Sequence, residues 1–164
     1  MNLSRSMKVL DFLLERALAL LMLALVLSVS WQVASRYLLQ APSSWTEELA
    51  RFLLVWIGLL GAAYAYRMHA HVGVDVLARK AGPVGQRYLR VLAAAMVLLF
   101  AGAVMVLGGV QLVMLTAELE QLSAALGLPM AAVYLVIPLS GLLIAIYALH
   151  EMATALREST QCHS

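Results

Sequence analysis

Apolar residues in this chain run on without the polar interruptions of a soluble helix. They do so over Ala17–Ser35, Phe52–Tyr66, Val91–Thr116 (broken only by Gln111) and Pro129–Leu149. About 20 predominantly apolar residues in a helix cross a bilayer core of roughly 30 Å. The pattern predicts four transmembrane helices, at about 17–35, 44–66, 91–116 and 129–149, in one membrane domain covering 1–164. The fold class expected is all-α integral membrane protein.

The polar stretches between them are short. Residues 1–16 set Val9, Leu10, Leu13 and Leu14 among Arg5, Lys8, Asp11, Glu15 and Arg16. That spacing gives one apolar helical face, expected to lie at the interface and lead into the first span. A secretory signal would have an apolar core of about 7–15 residues and then a small-residue cleavage site. Here the run continues into Trp31, Gln32 and Arg36, so a retained first helix is expected. In residues 67–90, Val72, Val76 and Leu77 can share a face while Asp75 and Arg79 pair, until Gly82-Pro83 ends the pattern. An interfacial amphipathic segment between helices 2 and 3 is expected there. The fourth span opens at Pro129, near a first helical position, and Pro138 inside it predicts a kink.

The second span has a charged beginning. Pro42 precedes Ser44-Trp45-Thr46-Glu47, the S-x-x-E spacing of a capping box. From Ser44 to Tyr66 a helix rises roughly 33 Å. Arg51 follows Glu47 by four residues and Glu48 by three, so all three can share one face. One reading is a self-neutralised helix end near the headgroups, since pairing lowers the insertion cost of an ion. The other is a polar anchor for a partner protein or neighbouring helix. The spacing fits both.

Composition agrees with the pattern. Of 164 residues 63% are hydrophobic and 12% charged, and the mean hydropathy is +0.90. A soluble surface would need about twice that share of charge. The net charge of +2 comes with no basic run interleaved with aromatics, so nucleic acid is not an expected partner. One cysteine, Cys162, excludes an internal disulfide, a CxxC pair and a cysteine metal cluster. Lys and Arg are unevenly placed. Arg5, Lys8, Arg16, Arg67, Arg79, Lys80, Arg87 and Arg90 flank one side, and only Arg36 and Arg51 the other. The positive-inside rule predicts both termini and the 67–90 segment in the cytoplasm (N-in, C-in).

Catalytic or carrier chemistry is hard to build from these residues. A carrier site near mid-membrane is usually made of ionisable groups or paired broken helices. No ionisable residue falls in the middle of a span, and Pro138 and Gly108-Gly109 are read as a kink and a close helix contact. His69, His71, His150 and His163 lie at helix ends or in the tail, away from a Ser, Cys or Thr nucleophile. Haem ligation by His71 and His150 is conceivable, but such ligands normally sit deeper. No enzyme activity, cofactor or metal is expected. Gly58/Ala62, Gly61/Ala65 and Gly141/Ala145 are small-xxx-small pairs, which suit packing within the chain or against a partner equally.

The ordered set Arg36-Tyr37, Trp45-x-Glu47-Glu48-x-x-Arg51, Gly61-Ala62, Arg67, His71 and Asp75, with four spans, resembles the DctQ-type small membrane subunit of tripartite ATP-independent periplasmic (TRAP) transporters. The resemblance implies a bacterial inner-membrane protein that scaffolds a large multi-span subunit carrying the sodium and substrate sites. A periplasmic binding protein would deliver an organic acid for sodium-driven uptake. It also implies that Arg36, Trp45, Glu47, Glu48, Arg51, Arg67, His71 and Asp75 serve structural or partner contacts, none of them catalytic. The competing reading is a membrane anchor of a redox complex, which a bound haem or quinone would reveal. A self-assembling exporter is disfavoured by the absence of a central carboxylate in the first span.

Overall fold

The computed structural model describes residues 3–40, 43–69 and 83–157. These form α1 (Leu3–Tyr37), α2 (Ser44–His69), α3 (Pro83–Phe100), a π-helical segment (Ala101–Gly108), α4 (Gly109–Glu118), α5 (Met130–Tyr134) and α6 (Val136–Arg157). Four helical stretches are long and apolar enough to cross a membrane: Met7–Tyr37, Ser44–Met68, Tyr88–Glu118 and Met130–Ala155. The fold is all-α with four membrane-spanning helices. In the first three, 11% of the most apolar window is buried within the chain, against 44% in the fourth. The core therefore sits along the fourth span, and the other three leave most of their apolar side chains uncovered.

The helices are longer than the apolar runs. Nothing between Leu3 and Tyr37 is Gly or Pro, so α1 takes in the charged N-terminal segment as one uninterrupted 35-residue helix. Its end is marked by Gln40 at a left-handed φ of 51°. At the third span Pro83 starts the helix, where a missing N–H costs nothing. The expected amphipathic helix with its Asp75–Arg79 pair falls on residues 70–82, outside the described residues.

Two compact units are present, one built from 1–64 and 112–136, the other from 65–111 and 137–164. In the first, α1 and the start of α2 are joined by hydroxyls. Ser28 Oγ donates to the Thr46 carbonyl at 3.3 Å, and Ser35 Oγ lies 3.3 Å from Ser43 Oγ. Ser28, Ser35 and Thr46 are all buried. Hydrogen bonds of this kind hold membrane helices together where apolar side chains gain nothing over lipid.

α4 ends in a Schellman motif. The N–H of Gln121 reaches the Thr116 carbonyl at 3.3 Å and that of Glu120 the Ala117 carbonyl at 3.1 Å. Glu120 takes the left-handed position (φ 46°), which glycine usually fills. Residues 121–130 then fold into a small hairpin. Met130 N–H donates to the Gln121 carbonyl at 2.8 Å and Ser123 N–H to the Leu128 carbonyl at 2.9 Å. Gly127, at φ 64°, makes its turn.

In the second unit two close approaches replace side-chain packing. A Cβ on Gly141 would lie 2.5 Å from Met105 Cβ, and one on Gly109 would lie 2.9 Å from Pro138 Cδ. The Gly108-Gly109 contact expected from sequence is therefore present at Gly109, but it accompanies eight residues of π-helix just before it. Such segments carry i→i+5 bonding and are rare. The fourth span is interrupted at Leu135, between α5 and α6. Pro138 explains the place, because it removes the N–H that would bond the Tyr134 carbonyl. Of the small-xxx-small pairs, Gly141 is used within the chain. A Cβ on Gly58 or Gly61 would meet nothing within 4 Å.

Candidate functional site at the first turns of the second helix

Hydroxyls meet at the start of α2. Thr46 Oγ1 donates to the Ser43 carbonyl at 2.8 Å and lies 2.6 Å from Ser43 Oγ. In place of the capping box expected over Ser44 and Glu47, the helix start holds a Ser43–Thr46 hydroxyl pair. The helix begins at Ser44, which places Ser43 one residue earlier, in the cap position. Glu47 turns instead toward Arg51.

The three charges share a face but do not form one cluster. Arg51 Nη2 lies 3.3 Å from Glu47 Oε1, an i,i+4 pair with side chains 69% and 64% exposed. Glu48 is engaged elsewhere. Its Oε1 accepts the Ala124 N–H at 3.1 Å, and its Oε2 accepts the Ala125 and Leu126 N–H groups, each at 2.8 Å. Ser123 Oγ in turn accepts the Leu128 N–H at 3.1 Å. Three consecutive N–H groups converging on one carboxylate make the kind of anion cradle found where a turn begins.

Trp45 is 46% exposed, and Arg36 is exposed in the last turn of α1. In the first turns of α2, Thr46 and Glu48 are thus engaged within the chain, while Trp45, Glu47 and Arg51 are exposed. Nothing in this arrangement provides a nucleophile with a base. It is built to hold one polypeptide segment against another.

In the second unit Arg67 and its neighbours form a separate polar group. Tyr66 Oη donates to Glu151 Oε2 at 2.9 Å, and the Arg67 guanidinium lies 5.8 Å from the centre of the buried Tyr147 ring. His71 and Asp75 lie outside the described residues. Sequence reasoning passed over Ser28, Ser35, Tyr66, Tyr147 and Glu151. Ser28 and Ser35 were findable, because their seven-residue spacing puts both hydroxyls on one helical face. The partners of Glu48 were not, since backbone N–H groups carry no residue identity.

These first turns lie within a wider likeness. A family model for the DctQ component of tripartite ATP-independent periplasmic transporters matches residues 25–158. The chain belongs to that family. DctQ relatives include the sialic acid TRAP transporter small permease protein SiaQ of Vibrio cholerae, 33% identical over 63% of this chain. The C4-dicarboxylate small permease protein DctQ of Pseudomonas aeruginosa is 41% identical over 36% of it. The isethionate TRAP transporter permease protein DctMQ of Oleidesulfovibrio alaskensis is 29% identical over 83%. The matched stretches span 60%, 28% and 22% of those relatives' own lengths. These relatives are transporter proteins, not enzymes. As a DctQ-family chain with four spans, this is a multi-pass membrane protein.

Proposed function

We propose that the chain is the small permease subunit of a TRAP-type secondary transporter, scaffolding a large membrane subunit during sodium-driven, binding-protein-dependent uptake of an organic acid. The observation that carries this reading is the family match over 25–158, which takes in the end of the first span and the whole of the other three. The uncovered apolar surface of the first three spans supports it, as a subunit that packs against a larger one needs such surface. The carboxylate class of substrate rests on the names of the sialic acid and C4-dicarboxylate relatives. A separate large subunit agrees with the long DctMQ relative, of which this chain matches 22%.

The chain sits in the bacterial inner membrane as one domain with both termini and the 67–90 segment cytoplasmic, on the strength of the Lys and Arg distribution. The first turns of α2 and the 121–130 hairpin then face the periplasm, with Trp45, Glu47 and Arg51 open to the binding protein. Arg36, Glu48, Arg67, His71 and Asp75 serve structural or partner contacts.

The experiment is purification of the tagged chain from its native membrane in a mild detergent, with partners identified by mass. A large multi-span permease in stoichiometric amount is the expected result. Recovery of the chain alone or as a homo-oligomer overturns the subunit reading.

A further inference from the structure

Several hydroxyls in the apolar spans find an acceptor on their own helix. Ser140 bonds the Ile137 carbonyl at 3.0 Å, and Thr116, one turn beyond Gln111, bonds the Leu112 and Val113 carbonyls at 2.8 and 3.0 Å. A hydroxyl can do this on its own helix. Gln111 cannot, because its longer side chain carries two donors and an acceptor on a carboxamide.

Gln111 lies within the span Tyr88–Glu118, seven residues before its end, about 10 Å along the helix axis. It is exposed, and among the described residues its amide has no hydrogen-bond partner. Its neighbours on that side of the helix, three or four residues away, are Leu107, Met114 and Leu115, exposed by 64%, 60% and 54%. An amide surrounded by apolar surface inside a span is the wrong group to offer to lipid, which has nothing to bond it. It is the right group for another helix that carries a polar side chain.

We infer that Gln111 marks the face on which the large membrane subunit packs, with its amide exchanging hydrogen bonds with a polar side chain of one of that subunit's helices. The inference rests on the proposed function for the existence of such a subunit, and adds where it binds. Leu107, Met114 and Leu115 supply the apolar contact around the amide. The polar group sets register, since a shift of one residue would take the amide off its partner and leave both unbonded.

The test uses the whole complex in native membranes. A Gln111→Cys variant in a Cys162→Ser background carries a benzophenone maleimide, is illuminated, and its adducts are identified by mass. An adduct with the large multi-span subunit is expected. A second variant, Gln111→Leu, suits a lipid-facing site and should fold, yet it is expected to weaken association with the large subunit by roughly three- to twentyfold. That is the range of one interhelical hydrogen bond in a membrane. If the unmodified chain co-purifies with the large subunit while position 111 labels only lipid and Gln111→Leu binds normally, the assigned face is wrong and the subunit reading stands. If the unmodified chain brings down no such subunit, both are wrong.

Discussion

The Glu48 carboxylate accepts the backbone N–H of Leu126 at 2.8 Å, joining positions 78 residues apart in sequence. With Ala124 and Ala125 bonded to the same carboxylate, this side chain ties the second turn of α2 to the hairpin between α4 and α5. The contact is charge-assisted, and no single residue of the hairpin can be substituted to remove it.

Removing the acceptor is therefore the informative change. Glu48→Ala should accelerate amide exchange at 124–126 severalfold and lower the thermal midpoint in detergent. Glu48→Gln, which keeps one acceptor oxygen, should fall between. Exchange rates at 124–126 that match the parent protein would remove this carboxylate from the account of the hairpin.

Arg51→Ala should behave differently. An exposed i,i+4 pair contributes no more than about 0.5 kcal/mol. Unfolding of the isolated chain should thus be nearly unchanged. Any loss of uptake by Arg51→Ala would then report on a partner that meets the exposed Glu47–Arg51 pair. A large drop in thermal midpoint would instead mean that Arg51 is structural.

Two glycines should respond oppositely to the same methyl group. Gly141→Ala forces a Cβ against Met105, an overpacking that typically costs about 1–3 kcal/mol. Gly58→Ala adds its Cβ to open space and gains helix propensity, stabilising by about 0.5–1 kcal/mol. Thermal melts of the two variants in one detergent give the comparison. Equal shifts would contradict the close approach of the Gly141 backbone to Met105.

Glu120→Gly should stabilise the chain, by up to about 1 kcal/mol, because glycine enters the left-handed conformation without the Cβ clash. Destabilisation in a melt would show that the Glu120 side chain makes a contact worth more than its backbone strain.

Tyr66→Phe deletes one hydrogen bond to Glu151 and should cost about 1 kcal/mol. Combining it with Glu151→Ala gives a double-mutant cycle. Strict additivity of the two changes would deny the contact between them.

The four spans were legible in sequence because hydrocarbon imposes a length and a composition that few other structures share. Pro138 likewise gave the break in the fourth span, though three residues late, since the lost bond is felt at the Tyr134 carbonyl. The π-helical stretch at 101–108 had no sequence mark. Its composition, small and apolar residues with two glycines, is common in spans, and the close approaches fall at Met105, within it, and at Gly109, just after it. The charged turn of α2 was visible, but its division was not. Spacing alone allows Glu47 and Glu48 one cation, and only the hairpin's unbonded N–H groups draw Glu48 away. The capping position was missed by one residue for a related reason. Ser43 and Ser44 are equally good caps on paper, and the fold chose the one that Ser35 can also reach.

The junction of α1 with α2 is fastened by Ser28, Ser35, Ser43 and Thr46, none of which titrates or carries charge. Its alignment is therefore indifferent to acidity and to salt, whatever solution bathes that end of the molecule. Ionic groups elsewhere are free to answer to their surroundings without disturbing how the first two helices meet.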